Sequence, residues 1–299
     1  MTMKTIGIRT GLWNNNAKSI VLLFLMPIIL TTMIGVGILA LTDGSMPLPD
    51  IALVSGIFSL VICVPWFIIS YFFNEAISMK MVGAKKVDRK DYPVLYNLTE
   101  NLAITAGIKM PGLYLMDSSA MNAFAAGVRL DKAVICVTQG LLDGLNKKEL
   151  EAVLAHEISH IVHKDVRLLT IATIFVGIIS FLAELVWRGM ARSRTRSGKK
   201  GGGAVLIVLA ATAIGYLTAF LTKLAISRKR EFMADAGAVV LTKDKEAMIG
   251  ALQKISGNSH IEDISSDMKF MLFDNKKAYL GFLSTHPPIE KRIEVLKNY

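Results

Sequence analysis

Two histidines and a glutamate lie within one helical turn in the segment His156-Glu157-Ile158-Ser159-His160. With 3.6 residues per turn, a helix here places both imidazoles on one face, where they can bind the same metal ion. Glu157 lies about 100° around that helix, where its carboxylate can take a proton from a water at the metal without occupying a ligand position. This combination is typical of metalloproteases, and chance produces it roughly 0.003 times in a chain of this composition.

A third metal ligand must come from elsewhere in the chain, because a catalytic zinc usually has three protein ligands and a water. His163 lies roughly 10 Å of helix rise beyond His156, which is too far for the histidines to share one ion. Glu231 and Asp235 are four residues apart on one face of a later helix. We predict one Zn²⁺ per chain bound by His156, His160 and Glu231, with Asp235 orienting a ligating imidazole. The alternative is a solvated acidic pair on a basic helix.

The elements that must position these residues form an α+β pattern in which helices dominate. Asn146 and Glu149 have capping-box spacing and begin an amphipathic helix that carries the two histidines. Further helices are predicted over 91–106, over 223–255 as one or two helices, and over 289–296. Between the first helix and the histidine helix, short β-rich runs bounded by turn residues predict three strands, namely Gly112–Met116, Asn122–Ala126 and Ala133–Val137.

The composition indicates an integral membrane protein. Hydrophobic residues make up 53% of the 299 positions and charged residues 19%, whereas a soluble chain carries about 25% charge. Residues 19–42 and 51–74 contain no charged side chain, and each exceeds the roughly 20 residues that cross a bilayer. Residues 168–187, with the single charge Glu184, and residues 201–222 are two further probable spans.

The distribution of Lys and Arg predicts the orientation of these spans. The N-terminus and the segment after residue 74 are basic, whereas the connection 43–50 is acidic. The positive-inside rule therefore places the N-terminus and the catalytic residues in the cytoplasm. The connection 188–200 contains six basic residues, which opposes its export and leaves open whether residues 168–222 fully cross. Basic residues flanking spans also explain the net charge of +10, so we predict a lipid-bilayer partner and no nucleic acid.

Four segments follow from this pattern. They are an N-terminal transmembrane hairpin over 1–74, a first catalytic part over 75–166, a hydrophobic hairpin over 167–222 and a second catalytic part over 223–299. Glu231 and the two histidines can meet only on one side of the membrane. The insert between them must therefore cross twice or not at all.

The chain resembles the HtpX family of membrane zinc metalloproteases, which are related to the CAAX prenyl proteases. The resemblance covers most of the chain and includes the histidine motif and segments 227–235, 121–125 and 285–288. It implies a gluzincin fold, a zinc cofactor and hydrolysis of misfolded or damaged membrane proteins. It also implies a catalytic domain at the cytoplasmic face of a bacterial inner membrane.

The resemblance also implies roles for residues outside the metal motif. It implies that an edge strand formed by Asn122, Ala123, Phe124 and Ala125 pairs with the backbone of the substrate. The alternative is an ordinary core strand. His286 is the candidate oxyanion donor, where the alternative is a structural turn residue. Arg228 is a candidate substrate contact, and the alternative is a basic side chain at the membrane surface.

Three other functions remain as rivals of an endopeptidase. A prenyl-peptide protease needs an enclosed chamber, which is generally built from more than four spans. A metal-binding scaffold without proteolysis would need no general base, whereas Glu157 is present. A transporter is disfavoured because the later apolar stretches have no broken-helix pair that would mark a midplane site.

Overall fold

The computed structural model describes residues 8–42, 45–171, 228–259 and 287–299. Its helices are α1 (Ile8–Leu41), α2 (Leu48–Met81), α3 (Pro93–Ala106), α4 (Gln139–Gly144), α5 (Lys147–Val162), α6 (Arg228–Thr242), α7 (Lys245–Ile255) and α8 (Ile289–Lys297). Its strands are β1 (Lys85–Lys86), β2 (Gly112–Met116), β3 (Ala123–Ala126) and β4 (Val134–Thr138). The helix-dominated α+β class predicted from the sequence is confirmed.

The chain divides into two compact units. Residues 17–72 and 171–224 form one, here called the apolar unit, and residues 73–170 and 225–299 form the other with the first sixteen residues, here called the α+β unit. The histidine motif and Glu231 both belong to the α+β unit, although about seventy residues separate them in the sequence.

In the apolar unit, the first two predicted spans are long helices. Of the helices in the described ranges, Leu48–Ile69 alone is long and apolar enough to cross a membrane, and the apolar part of α1 is the shorter Pro27–Leu39. The two helices pack closely, since the Ser59 hydroxyl donates to the Pro27 carbonyl at 2.9 Å. Large apolar side chains on their outer faces are exposed, as lipid contact requires. The stretches predicted at 168–187 and 201–222, with Glu184, lie outside the described residues except for 168–171.

The described residues of the α+β unit form a four-stranded sheet in the order β1-β2-β4-β3. β2 and β4 are parallel, with Leu113 opposite Ile135, whereas β3 is antiparallel to β4, with Phe124 opposite Cys136. The three predicted strands are confirmed to within one residue. The two-residue strand β1 was not predicted, because two adjacent lysines do not have the residue pattern of a strand.

The two faces of the sheet pack against different parts of the chain. Side chains alternate between the faces of a strand, so Ala123 and Ala125 face the main core while Phe124 and Ala126 face a second, smaller core. The main core contains the apolar residues of α3, α5, α7 and α8. The smaller core contains Met79 from the end of α2. α5 is therefore packed beneath the β3 edge of the sheet.

The start of α5 is fixed by a capping box, as the sequence predicts. The Asn146 side chain accepts hydrogen bonds from the backbone N–H groups of Lys148 and Glu149 at 3.0 Å. In return, the Glu149 carboxylate accepts from the Asn146 N–H at 2.8 Å. These bonds satisfy N–H groups that have no partner within the helix. They fix the first residue of the helix and hence the face on which the histidines lie.

Candidate metal centre

α5 presents His156 and His160 from successive turns, and both side chains are buried. Their Nε2 atoms are 3.1 Å apart, and the rings meet edge to face with centroids 4.7 Å apart. Two positively charged imidazoles at this separation would repel each other strongly. The arrangement instead suits two Nε2 lone pairs directed at one cation.

α6 brings Glu231 to the same point. One carboxylate oxygen lies 3.6 Å from the His156 Nε2, and the other lies 3.6 Å from the His160 Nε2. This approach depends on Gly237, because a Cβ at that position would lie 2.1 Å from the Ser159 Oγ and 2.9 Å from the Ser159 Cβ. Any larger residue would therefore push α6 away from α5 and move Glu231 away from the histidines.

These three side chains fit a catalytic metal ion. One ligand atom from each lies within 4.8 Å of the other two. Bonds of about 2.0–2.1 Å to a tetrahedral ion separate neighbouring ligand atoms by about 3.3–3.4 Å. The two Nε2 atoms are 3.1 Å apart and each lies 3.6 Å from a different Glu231 oxygen, so all three distances are close to that value. Three protein ligands leave one position for water, as in catalytic rather than structural sites.

Asp235 lies behind His156 on the side away from the Glu231 carboxylate. Its carboxylate is 2.9 Å from the His156 Nδ1 and accepts two hydrogen bonds from Arg292, at 2.9 Å from Nε and 2.6 Å from Nη2. Burial opposes ionisation, but Arg292 and His156 outweigh it and lower the pKa of Asp235. An ionised Asp235 accepts the Nδ1 proton, which leaves the Nε2 lone pair facing Glu231 and His160.

His160 has a corresponding carboxylate partner, Asp165, which was not predicted from the sequence. The Asp165 carboxylate lies 3.2 Å from the His160 Nδ1, and its other oxygen lies 3.5 Å from Arg230 Nη1. α5 ends at Val162, and Lys164 then adopts a left-handed conformation with φ of 59°. This turn directs Asp165 back at the preceding helix. Such a turn at a lysine is not readable from residue spacing, since left-handed residues are usually glycine or asparagine.

The electrostatic field of the site favours positive charge. Burial by itself lowers the pKa of His160, but Glu231, Asp165 and Glu157 together raise it to about 9. The same negative potential would act on a bound metal ion. Burial raises the pKa of Glu157, because a charged carboxylate is poorly solvated there. Glu157 is buried beside the cluster but is not one of its three candidate ligands.

Strand β3, which contains three of the predicted substrate-binding residues, is the last strand of the sheet as described and pairs there with β4 alone. The backbone N–H of Thr138 donates to the Asn122 carbonyl, so this opposed pair is a hydrogen-bonded one. Hydrogen-bonded and non-hydrogen-bonded residue pairs alternate along antiparallel strands. Ala125, three residues after Asn122, therefore belongs to a non-hydrogen-bonded pair, and its N–H and C=O point away from β4. The Gly127 N–H, two residues on, donates to the Thr170 hydroxyl, in agreement with that alternation. All four residues of β3 are buried.

Unlike the alanines and phenylalanine that follow it, Asn122 forms side-chain hydrogen bonds to backbone groups of the protein. Its Nδ2 donates to the Ser259 carbonyl at 2.9 Å, and its Oδ1 accepts from the Ala123 N–H at 2.9 Å. The first of these bonds attaches the start of β3 to Ser259, which follows α7 in the sequence. Asn122 therefore holds the strand in place through its side chain.

Three further residues were considered in the sequence as ligands or as contacts of the substrate. His163 is the C-cap residue of α5, its Nδ1 lies 3.2 Å from the Ser159 hydroxyl, and it is not among the three clustered residues. Arg228 is the first residue of α6. His286 lies outside the described residues.

Comparisons with known proteins identify the family of this chain. The family model described as peptidase family M48 matches residues 90–299. A protease HtpX homologue of Bacteroides fragilis is 38% identical over 99% of this chain and 100% of its own length. An HtpX homologue of Dictyoglomus thermophilum is 40% identical over 75% of each chain, and one of Listeria monocytogenes is 38% identical over 75% of this chain and 80% of its own.

A solved structure also has a similar fold. The crystal structure of Ste24p from S. mikatae matches with a TM-score of 0.50 and 18% identity, over 95% of this chain and 66% of that one. This likeness concerns the fold, since the identity is low. The full-length relatives and the family model confirm the resemblance found in the sequence. The chain belongs to peptidase family M48 and is a membrane metallopeptidase of the HtpX type.

Proposed function

We propose that this protein is a zinc endopeptidase of the bacterial inner membrane that cleaves misfolded or damaged membrane proteins at the cytoplasmic face. The observation that carries the proposal is the convergence of His156, His160 and Glu231, each with an atom within 3.6 Å of a neighbour's. Two nitrogens and a carboxylate oxygen are ligands that Zn²⁺ prefers. The names of the relatives support a protease, and the basic residues after the second apolar stretch support the cytoplasmic orientation.

Each residue of the site then has a defined task. A bound zinc ion would acidify a water molecule and polarise the scissile carbonyl. Glu157 takes the proton from the attacking water and delivers it to the leaving amine, and its raised pKa suits both steps. Asp235 and Asp165 hold the two imidazoles with Nδ1 as donor, so neither ring turns away from the ligand position. His286 and Arg228 remain proposed contacts of the oxyanion and the substrate.

Metal removal tests the zinc and its location together. In spheroplasts that produce the protein and an unfolded membrane substrate, a membrane-permeant zinc chelator is expected to stop cleavage, since the ligands face the cytoplasm. An impermeant chelator should leave the rate unchanged. Product bands on immunoblots give the rate, and added Zn²⁺ with an ionophore should restore it, whereas Mg²⁺ should not. Cleavage that continues with the permeant chelator would contradict zinc catalysis, and inhibition by the impermeant one would contradict the orientation.

Strand β3 is proposed to bind the extended backbone of the substrate. Ala125 directs its N–H and C=O away from β4, so a peptide can add to the sheet at this residue through main-chain hydrogen bonds that ignore side-chain identity. Such binding supports a broad substrate range. Purified protein with unprenylated and prenylated peptides would separate this activity from prenyl-peptide cleavage, since the latter would require the lipid.

Replacing Ala125 by proline is expected to lower kcat/KM by about tenfold, because one backbone hydrogen bond contributes about 0.5–1.5 kcal/mol. Proline removes the N–H that would pair with the substrate but no bond to β4. Peptide cleavage rates and metal content would be measured together. The matched control is Ala125→Gly, which retains the N–H and should cleave nearly normally. Equal rates for the two variants would show that the substrate does not pair at this residue.

A further inference from the structure

The last helix of the chain places a completely buried arginine beside the metal centre. Arg292 has no exposed surface, although arginine is among the residues that are almost never fully buried unless they are paired. α8 carries it at the centre of a buried stripe between Ile289 and Leu296. Pro287 and Pro288 precede the helix and fix its start. An interior charge at this position needs an explanation beyond packing.

The guanidinium forms a two-bond fork with the Asp235 carboxylate. Nε donates to Oδ2 at 2.9 Å and Nη2 donates to Oδ1 at 2.6 Å. Parallel bonds of this kind fix orientation as well as distance, which a single lysine ammonium cannot do. The Asp235 carboxylate therefore cannot rotate about its own axis while Arg292 is in place.

The fixed carboxylate in turn orients His156. Asp235 Oδ1, which accepts from Arg292, also lies 2.9 Å from the His156 Nδ1. The guanidinium itself lies 3.5 Å from that nitrogen. A chain of contacts thus runs from α8 through α6 to α5 and ends at a nitrogen of the metal-binding ring.

We propose that Arg292 is a positioning residue of the metal centre: it locks the Asp235–His156 pair in metal-binding geometry, so that tight metal binding requires the C-terminal helix. The inference deepens the proposed function and rests on its metal site. Arg292 lies 136 residues after His156 and seven residues before the end of the sequence. The metal centre is therefore complete only when the last helix has folded onto α6 and α7.

The other imidazole provides an internal comparison. His160 is also backed by a carboxylate and an arginine, but Arg230 reaches Asp165 through one contact of 3.5 Å rather than a two-bond fork. Positioning by Arg230 is looser, so its replacement should weaken metal binding less than replacement of Arg292.

The test measures zinc affinity of the purified full-length protein in detergent by competition with a chromogenic chelator, without substrate. Asp235→Asn is expected to weaken binding by about 10–100-fold, as loss of a partner behind a ligand usually does. Arg292→Gln should weaken it by about tenfold, and Arg230→Gln by less. The double variant Asp235→Asn/Arg292→Gln should bind zinc no more weakly than Asp235→Asn alone, because Arg292 acts through Asp235. Lys291→Gln, an equal charge change at the exposed neighbour, should have no effect.

Two results would overturn the proposal. One is wild-type zinc affinity in Arg292→Gln, and the other is a further loss of affinity when Arg292→Gln is added to Asp235→Asn, which would indicate a general structural role. If Arg292→Gln alone does not fold, Arg292→Lys decides instead, since lysine keeps the buried positive charge but cannot form the two-bond fork, and wild-type zinc affinity in that variant would overturn the proposal. A wild-type protein that binds zinc but cleaves nothing would refute the proposed protease function and leave this inference intact.

Discussion

Glu157→Gln is expected to abolish peptide hydrolysis while the protein retains its metal. The substitution keeps the size and hydrogen-bonding shape of the side chain but removes the group that accepts the proton of the attacking water. General bases contribute about 10²–10⁴-fold to rate, so the cleavage rate should fall by at least about 10²-fold. Glu157 is not one of the three clustered ligand residues, and the metal content should therefore remain at one ion per chain.

The matched control for this prediction is Glu151→Gln on the same helix. Glu151 lies between the capping box and the histidines and is only partly buried, so its replacement tests the effect of losing one negative charge from α5. Steady-state cleavage of an unfolded protein and metal analysis of the same preparations would be compared. If Glu157→Gln cleaved at the wild-type rate, another group would have to be the base. If it lost the metal, Glu157 would be part of the ligand set.

The clustering of the candidate ligand residues could be predicted where local rules determine it. The Asn146–Glu149 capping box sets the start of α5, and helical periodicity then places His156 and His160 together. Glu231 was predictable for a different reason. Its helix carries a second acid one turn later, and ligand chemistry requires a third partner. These inferences needed only spacing and residue type.

Asp165 and Arg292, unlike Asp235, could not be predicted in this way. Asp165 reaches His160 because of the left-handed turn at Lys164, and no glycine or asparagine marks that turn in the sequence. Arg292 interrupts an otherwise apolar stripe, which on its own indicates a helix with a charged residue at its margin. Its burial depends on how α8 docks against α6, and such docking depends on contacts between distant segments.

Hydropathy located the apolar helices but not their ends. α1 and α2 are 34 residues each, ten longer than the uncharged stretches 19–42 and 51–74 that predicted them. A hydropathy pattern reports the length that contacts lipid, whereas backbone hydrogen bonds continue into polar sequence as long as the helix is supported. The end of α2 is supported by Met79, which packs in the smaller core of the α+β unit. The helix therefore extends beyond its apolar stretch by tertiary packing.

Glu231→Gln is expected to remove both metal and activity, in contrast to Glu157→Gln. The amide is a poor zinc ligand and lacks the negative charge that raises the pKa of His160. Structural zinc sites with four ligands bind with about 10–16 kcal/mol in total, or about 2.5–4 kcal/mol per ligand. A loss of that size weakens affinity by at least about 10²-fold. Chelator competition should detect this directly, and cleavage should fall in proportion to the metal lost.

The matched control is Glu246→Gln, an exposed glutamate in the first turn of α7 that lies outside the ligand cluster. Zinc added in large excess should partly restore cleavage by Glu231→Gln, because His156 and His160 remain, whereas it should not restore Glu157→Gln. This difference separates a ligand from a base without reference to any structure. If Glu231→Gln retained wild-type zinc affinity, the closeness of its carboxylate to the two imidazoles would reflect charge pairing in the metal-free protein, and the third ligand would have to be sought among other residues.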